Sequence, residues 1–401
     1  MLNGPFSPWP SFTLEEAQAV QDVLLSNRVN YWTGQECIEF EKEFAQFAET
    51  KHAIALANGT NALDLALIGL GIGQKEHEEV IVTSRTFVAS ASCIANVGAV
   101  PIFADIDRDS QNITAATVAE KITPRTRAIV AVHLAGWPCE MQELMALAEQ
   151  YGLYVIEDCA QAHGARYQGR SVGGIGHVGC WSFCQDKIIT TGGEGGMVTT
   201  NDSALWKRMW AYKDHGKSWD AVYLHEHPPG FRWLHDTFGT NWRMTEMQAA
   251  IGRIQLKRMP EWSAIRQTNA QCIWQAALEC KGLRVPAFGL AMVSGSLRHD
   301  THHAAYKCYV FIDSHQLRTS WDRDRILSEI NLRGVPCFSG SCSEVYLEKA
   351  FLNAGWQPQN NLPVAQELGQ TSLMFLCHPT LSQAEINKTC QVLKEVMALA
   401  V

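Results

Sequence analysis

The first two-thirds of the chain alternates short apolar segments with segments of helical periodicity, and this alternation restricts the fold most. Apolar side chains recur at helical spacing over residues 141–151, and Gly152 can end that helix in the left-handed conformation. Near-continuous apolar strands joined by such helices predict an α/β fold with a parallel sheet covered on both faces. The segments with strand length and many β-branched residues are HAIALA, EEVIVTS, VPIFADI, AIVAVHL and LYVIEDCA.

The last third of the chain has a different pattern of predicted secondary structure. A length of 401 residues suits two domains, and after residue 250 long amphipathic helices dominate, with a few strands such as YKCYVFID. In the closing segment Ser382 and Glu385 form a capping box ahead of an apolar stripe. We therefore predict a large domain over residues 1–250 and a smaller α+β domain over residues 251–401.

Composition excludes several classes of protein. A net charge of −8 without a basic cluster argues against nucleic-acid binding. The N-terminal residues do not resemble a signal peptide, and no apolar run approaches the roughly 20 residues that span a bilayer, so we expect a soluble, cytoplasmic protein. The 13 cysteines are scattered without a CxxC pair and the histidines lack metal-binding spacing, which predicts reduced thiols and no metal site.

The segment SFCQDKIITTGGEGG, residues 182–196, places a single lysine, Lys187, between an apolar run and a cluster of glycines. Two nucleotide-binding motifs do not explain it. GIGHVG at residues 174–179 matches GxGxxG but precedes a strand-like segment rather than a helix. TTGGEGG lacks the GK[ST] of a phosphate-binding loop.

Residues at three other strand ends carry groups suited to a ligand. Asp158 ends an apolar strand, as either a satisfied polar end of the sheet or a group aimed into a ligand crevice. Gly59 and Thr60 link HAIALA to a helix, forming either a tight turn or an anion site that the Ser182 hydroxyl can join. Phe87 follows EEVIVTS, as either core filler or a stacking face for a planar ligand.

One ligand suits all of these groups together. A lysine traps an aldehyde as a Schiff base, a carboxylate keeps a pyridine nitrogen protonated, an aromatic ring stacks, and a helix N-terminus binds phosphate. Pyridoxal 5′-phosphate (PLP) combines an aldehyde, a pyridine ring and a phosphate. The residues therefore predict a PLP enzyme in which Lys187 is the attachment site.

Motifs along nearly the whole chain resemble the DegT/StrS family of PLP-dependent sugar aminotransferases. The resemblance implies the type I aspartate aminotransferase fold, with a mostly parallel seven-stranded sheet covered by helices in the large domain and a smaller α+β C-terminal domain. The segments that carry it, in chain order, are YWTG, FEKEFAQF, NGTNALDLAL, EDCAQAHGA, SFCQDKIITTGGEGGMVTTND, NWRMTEMQAAIGRIQL and CHPTLSQAEI.

The same resemblance implies a role for each candidate residue. Lys187 forms the Schiff base with PLP, and Asp158 pairs with the pyridine nitrogen. Phe87 stacks on the ring, and Gln161 lies near the phenolic oxygen. The residues expected to bind the phosphate are Gly59, Thr60 and Ser182.

A neighbouring subunit is expected to complete the site. In the family a residue of the NWR segment reaches the phosphate from the partner, so Asn241 or Arg243 is the candidate here, and we expect a homodimer. Members that remove a sugar hydroxyl replace the Schiff-base lysine with histidine. Lysine at position 187 therefore favours amino transfer, although a PLP-dependent sugar dehydratase and a regulator without turnover stay open as alternatives.

The substrate expected from the resemblance is a keto sugar, nucleotide-linked, that receives its amino group from L-glutamate by a ping-pong mechanism. The product would be an aminosugar for surface polysaccharide or a glycosylated compound. Arg85 follows a strand end where it can meet a substrate anion, which keeps a free eight-carbon keto sugar acid open. Trp9, Tyr31 and Trp32 are expected either to line the substrate pocket or to pack against the partner subunit.

Overall fold

The computed structural model describes residues 4–294 and 300–401. Within these ranges the chain forms a seven-stranded sheet, a four-stranded sheet and a two-stranded ribbon. The strands are β1 (His52–Leu56), β2 (Glu79–Thr83), β3 (Val100–Ala104), β4 (Thr126–Val132), β5 (Tyr154–Asp158), β6 (Arg166–Tyr167), β7 (Arg170–Ser171), β8 (Val178–Ser182), β9 (Gly196–Thr200), β10 (Leu283–Arg284), β11 (Cys308–Ile312), β12 (Cys337–Phe338) and β13 (Ser372–Phe375).

Helices separate most of the strands, as the sequence predicts. They are α1 (Leu14–Leu25), α2 (Glu36–Phe47), α3 (Gly59–Gly69), α4 (Ala89–Asn96), α5 (Ala115–Ala119), α6 (Met141–Tyr151), α7 (Ser203–Lys213), α8 (Trp219–Tyr223), α9 (Glu246–Leu278), α10 (Ala287–Ser294), α11 (Arg323–Leu332), α12 (Lys349–Ala354), α13 (Pro363–Thr371) and α14 (Gln383–Ala400). Across the described ranges, none of these helices is both long enough and apolar enough to span a bilayer.

The seven-stranded sheet has the order β1-β9-β8-β5-β4-β2-β3. Its central pairs β5/β8, β4/β5, β2/β4 and β2/β3 are parallel, and β9 is antiparallel to both of its neighbours. Every residue of β2, β8 and β9 is buried, because helices cover both faces. The predicted mostly parallel, seven-stranded α/β architecture is confirmed.

The end of α6 and the start of α14 have the residues and the conformations that the sequence predicts. Gly152 ends α6 with a φ of 65°, a conformation that costs a residue without a Cβ little. Ser382 and Glu385 form the predicted capping box of α14, in which each side chain bonds to a backbone N–H of the other residue.

The four-stranded sheet, of order β10-β11-β13-β12, is antiparallel throughout and has its own apolar core with α14 and the C-terminal part of α9. The 33-residue helix α9 runs across residues 250 and 251 and packs against α1 and α2 as well as against α14. One rigid element therefore connects the two sheets, and the domain division at residue 250 stays a prediction.

Candidate active site

A cavity of about 960 Å³ opens at the carboxyl ends of β5 and β8 and is closed on its other side by residues around β11, β12 and β13. Ligands of open α/β sheets bind at this edge. Seven of the nine residues predicted from the sequence line this one cavity: Gly59, Thr60, Phe87, Asp158, Gln161, Ser182 and Lys187.

Lys187 lies in the loop that follows β8. Its backbone N–H donates to the Cys184 carbonyl oxygen at 3.0 Å, and its own carbonyl oxygen accepts the indole N–H of Trp9 at 2.8 Å. The side chain is 16% exposed, and its Nζ lies 3.5 Å from a carboxylate oxygen of Asp186. Two hydrogen bonds therefore hold the backbone of Lys187 in place. Its side-chain amine is shielded from most of the solvent.

The glycines after Lys187 are required by the conformation and the close contacts of the protein's own backbone. Gly192 and Gly193 have φ values of 85° and 126°, so this turn requires residues without a Cβ. A Cβ on Gly196 would lie 2.3 Å from the Asn58 carbonyl oxygen. The glycine at the start of β9 thus lets that strand approach the N-terminus of α3.

Asp158 ends β5 and is only 4% exposed. Its Oδ2 accepts the hydroxyl of Ser90 at 2.7 Å, and its Oδ1 accepts the backbone N–H of Ala160 at 3.1 Å. The Ser90 hydroxyl lies 2.8 Å from that of Thr86, which donates to it because the Ser90 proton is used on the carboxylate. This chain fixes the orientation of the carboxylate.

Gln161 and Phe87 present a polar and an aromatic group to the cavity. The Gln161 side-chain oxygen accepts the Ala135 backbone N–H at 2.8 Å, so the NH₂ group is the end that remains for a ligand. Phe87 lies just past β2, and 66% of its surface is exposed. The exposed ring is available for stacking rather than used as core filler.

Gly59 and Thr60 form the first turn of α3, whose N-cap Asn58 accepts the Asn61 N–H at 2.9 Å. The first N–H groups of a helix have no partner inside the helix, and the helix dipole favours an anion there. A Cβ on Gly59 would lie 2.5 Å from the Cβ of Ser182. Glycine is therefore required where α3 meets β8, and the Ser182 hydroxyl borders the helix N-terminus.

The sequence profile of the DegT/DnrJ/EryC1/StrS aminotransferase family matches residues 10–394. The chain belongs to this family.

Individual relatives agree with this assignment. A GDP-perosamine synthase of Caulobacter vibrioides is 35% identical over 91% of this chain and 91% of that protein. A dTDP-3-amino-3,4,6-trideoxy-alpha-D-glucose transaminase of Streptomyces venezuelae is 34% identical over 95% of this chain and 92% of that protein. The X-ray structure of an aminotransferase from Psychrobacter cryohalolentis superposes with a TM-score of 0.95 at 62% identity, covering 98% of this chain and 99% of that one. The predicted family, fold and class of enzyme, a sugar aminotransferase, are confirmed.

The other two predicted residues, Asn241 and Arg243, are not among the described residues that line the cavity. The Arg243 guanidinium is 13% exposed and forms an ion pair with Asp214 of the same chain at 2.6 Å. Asn241 is exposed. Between them, the Trp242 carbonyl oxygen accepts the Ala57 N–H at 2.9 Å, next to the end of β1.

Arg85 does not meet a substrate anion, so that expectation is wrong. Its side chain is fully buried. Nε donates to Gln111 at 3.0 Å, and the two terminal nitrogens donate to Ser343 at 2.7 Å and to Ser372 at 2.8 Å. The guanidinium therefore connects the end of β2 to residues near β12 and β13, and Arg85 is not among the described residues that line the cavity.

The aromatic residues near the N-terminus pack within their own chain, so the expectation that they line its pocket is wrong, while the alternative, packing against the partner subunit, stays a prediction. Trp9 makes an edge contact with Trp262 besides its bond to the lysine loop. Tyr31 is 4% exposed, and its hydroxyl donates to Glu41. Trp32 packs edge-on against Trp210. Among the described residues, none of the three borders the cavity.

Four further residues that were not predicted from the sequence contact the candidate residues or approach them. Ser90 and Asp186 bond to the candidate residues as described above, while Tyr306 and Lys307 reach the cavity from the start of β11. Ser90 lies three residues after Phe87 at the start of α4, a local signal that was available. Tyr306 and Lys307 come from a segment that the sequence identified only as a strand.

His133, Glu157 and Cys159 place potential metal-ligating atoms within 4.8 Å of one another. Glu157 is fully buried and accepts His133 Nε2 at 3.0 Å together with three backbone N–H groups in residues 173–176. The Cys139 N–H donates to His133 Nδ1, so Nε2 carries the proton. Four donors saturate the carboxylate, and its hydrogen bonds connect the ends of β4 and β5 to residues 173–176.

Proposed function

We propose that this aminotransferase uses PLP to transfer an amino group from L-glutamate to a nucleotide-linked keto sugar, giving an aminosugar for surface polysaccharide or another glycosylated product. The observation that carries the proposal is that the amine of Lys187 and the buried carboxylate of Asp158 line the same cavity. The relatives' names support the substrate class, because one contains a GDP-linked and another a dTDP-linked sugar.

The groups around the cavity fit PLP. The N-terminus of α3 offers backbone N–H groups at Gly59, a position where a Cβ would clash with Ser182, and this cradle suits the phosphate. Phe87 offers an exposed ring for the pyridine. Gln161 has an NH₂ group left to donate to the phenolic oxygen.

Each of the two central residues has a task that its surroundings support. PLP, when bound, supplies a ring that takes up the electrons left behind when a carbon loses a proton. Asp158, fixed by Ser90 and Ala160, would hold a proton on the ring nitrogen. Lys187 would hold the cofactor through Nζ and, once released, would take up and return the substrate's proton at that same atom.

The partner subunit would supply Asn241 to the phosphate. Arg243 is committed to Asp214 inside its own chain, whereas Asn241 is exposed, which supports the asparagine as the residue in trans. Three aromatic residues just before Asn241 lie open to solvent, and exposed apolar groups of this size favour burial against a second copy of the chain. They are Phe231, Trp233 and Phe238, which are 78%, 83% and 100% exposed.

Absorbance spectroscopy tests the proposal. The purified protein incubated with PLP should show the visible band of a lysine-bound cofactor, and excess L-glutamate should bleach it with release of 2-oxoglutarate. Lys187→Ala should not form that band or turn over. Normal multiple turnover in Lys187→Ala would refute the assignment.

The acceptor is then found by its ability to restore the band. GDP-, dTDP- and UDP-linked keto sugars and a free eight-carbon keto sugar acid form the panel. A transaminase releases 2-oxoglutarate in proportion to the aminosugar formed, whereas a dehydratase consumes the sugar without that stoichiometry. Restoration by the free acid alone would replace the nucleotide-linked substrate in the proposal.

A further inference from the structure

A second lysine in the cavity, Lys307, is not accounted for by the cofactor. It directly precedes β11, is partly buried and lines the cavity. Its Nζ lies 4.9 Å from the centre of the Tyr306 ring, and the Nζ of Lys187 lies 5.4 Å from the same centre. The two amines are therefore neighbours across one aromatic side chain, on the side of the cavity where the reaction takes place.

Among the residues that the structure describes, none forms an ion pair with Lys307. Within residues 4–294 and 300–401 its amine makes no hydrogen bond and no ion pair. The nearby carboxylate, that of Asp186, is already engaged, because it pairs with Lys187 at 3.5 Å and accepts the Tyr306 hydroxyl. A partly buried ammonium without a counter-ion is unfavourable, which makes an anion from outside the chain a favourable ligand.

A further cation behind Lys307 increases the excess of positive charge. Arg266 is 1% exposed, and two of its guanidinium nitrogens, Nε and one terminal nitrogen, have no hydrogen-bond partner among the described residues. Burial lowers the pKa of Arg266 to about 10. Burial also lowers the pKa of Lys307, and the charges of Arg266 and Lys187 lower it further. Lys307 thus lies between two other cations, Lys187 and Arg266, whereas Asp186 is, among the described residues, the one carboxylate whose charge acts on it.

We propose that Lys307 binds a carboxylate of the amino donor, with the charge of Arg266 reinforcing it. This inference rests on the proposed aminotransferase function. The carbon that gives up its amino group must approach Lys187, and in an α-amino acid that carbon carries a carboxylate. The ring of a keto sugar is uncharged, and in a nucleotide-linked sugar the phosphates are separated from the reacting carbon by that ring. A cation beside Lys187 therefore suits the donor better than the acceptor.

Binding of an unreactive probe tests the role of Lys307 without turnover. Glutarate, a dicarboxylate without an amino group, is titrated into the PLP-loaded protein by calorimetry, with its neutral diamide as the control ligand. Lys307→Met should weaken glutarate binding by about 10- to 100-fold, the range expected for one charged hydrogen bond. Lys307→Arg should retain most of the affinity, and Lys257→Met, at an exposed position on α9, should match the wild type.

Kinetics then separates the donor from the acceptor. Lys307→Met should raise the L-glutamate concentration needed for half-maximal bleaching of the cofactor band, with a smaller effect on the maximal rate. The acceptor half-reaction and the affinity for GDP and dTDP should be unchanged. Weaker nucleotide binding instead would assign Lys307 to the acceptor's phosphates and overturn the proposal, as would unaltered glutarate binding or a wild type that does not bind glutarate.

The two proposals fail in different ways. If Lys187 does not form the cofactor band, the proposed function is wrong whatever Lys307 does. If the band forms and glutamate bleaches it equally well in the wild type and in Lys307→Met, the function stands and the donor site is wrong.

Discussion

The Ser90 hydroxyl donates a hydrogen bond of 2.7 Å to Oδ2 of Asp158, at the point where α4 begins beneath the cavity. Ser90→Ala removes this bond and leaves a buried carboxylate oxygen without it. We expect turnover to fall about tenfold, because a charged hydrogen bond contributes about 1.5–3 kcal/mol and here it fixes the orientation of the carboxylate. Steady-state kinetics and PLP titration of the variant measure the effect.

Ser92→Ala, in the same helix, is the matched control and should behave like the wild type. Cofactor attachment should survive in Ser90→Ala, since Lys187 lies on a different loop. Unchanged turnover in Ser90→Ala would mean that the carboxylate of Asp158 is held well enough by the Ala160 N–H alone.

Subunit complementation tests the role of Asn241. Lys187→Ala and Asn241→Ala are each expected to inactivate their own homodimer. In a hybrid dimer, a residue supplied in trans leaves one of the two sites free of both substitutions, so random assortment should restore about a quarter of the wild-type sites. Co-expression with two different affinity tags yields the hybrids for assay. No recovered activity in isolated hybrids would show that Asn241 acts on its own subunit's site.

The central part of the site was predictable because its signals are local. Asp158 ends a buried strand and Lys187 lies in the loop after another, and the carboxyl ends of neighbouring strands in a parallel sheet meet at one edge. The turn of Gly59 carries its own signal, since a strand, a glycine and a helix follow one another directly. Secondary structure and sheet rules were therefore enough to bring these residues together.

The errors arose where partners come from distant parts of the chain. Arg85 also follows a strand end, but its hydrogen-bond partners Ser343 and Ser372 are 258 and 287 residues away and draw the side chain into the interior. Lys307 reaches the cavity only because β11, a strand of a second sheet, begins at the far side of the cavity. Periodicity within a short segment contains no information about such contacts.

Glu157→Gln tests whether the cluster with His133 is structural. The substitution replaces an acceptor oxygen with an NH₂ group that faces N–H donors, so we expect a loss of about 3–5 kcal/mol in the free energy of unfolding. Denaturant unfolding measures this loss, with the exposed Glu149→Gln on α6 as the control. A chelator should leave the unfolding midpoint of the wild type unchanged; a lower midpoint after chelation would indicate a bound metal.

Asp64→Asn should stabilise the protein at neutral pH and not in acid. Asp64 in α3 is 9% exposed, and burial raises the pKa of its carboxyl to about 6 despite a hydrogen bond from Asn96. The unfolded chain releases this proton near pH 4, so the folded state binds more protons between about pH 4 and 6 and loses stability as the pH rises through that range.

The stability lost by the wild type over this range should be on the order of 2 kcal/mol, since one pKa unit corresponds to about 1.4 kcal/mol and solvent screens part of the effect. The amide of the Asp64→Asn variant cannot ionise and keeps an oxygen that accepts from Asn96, so the variant should exceed the wild type by that amount at pH 8 and by little at pH 4. Urea unfolding at both pH values measures the difference, with the exposed Asp22→Asn as the control. A gain that is the same at both pH values would show that packing, and not the charge of Asp64, determines the effect.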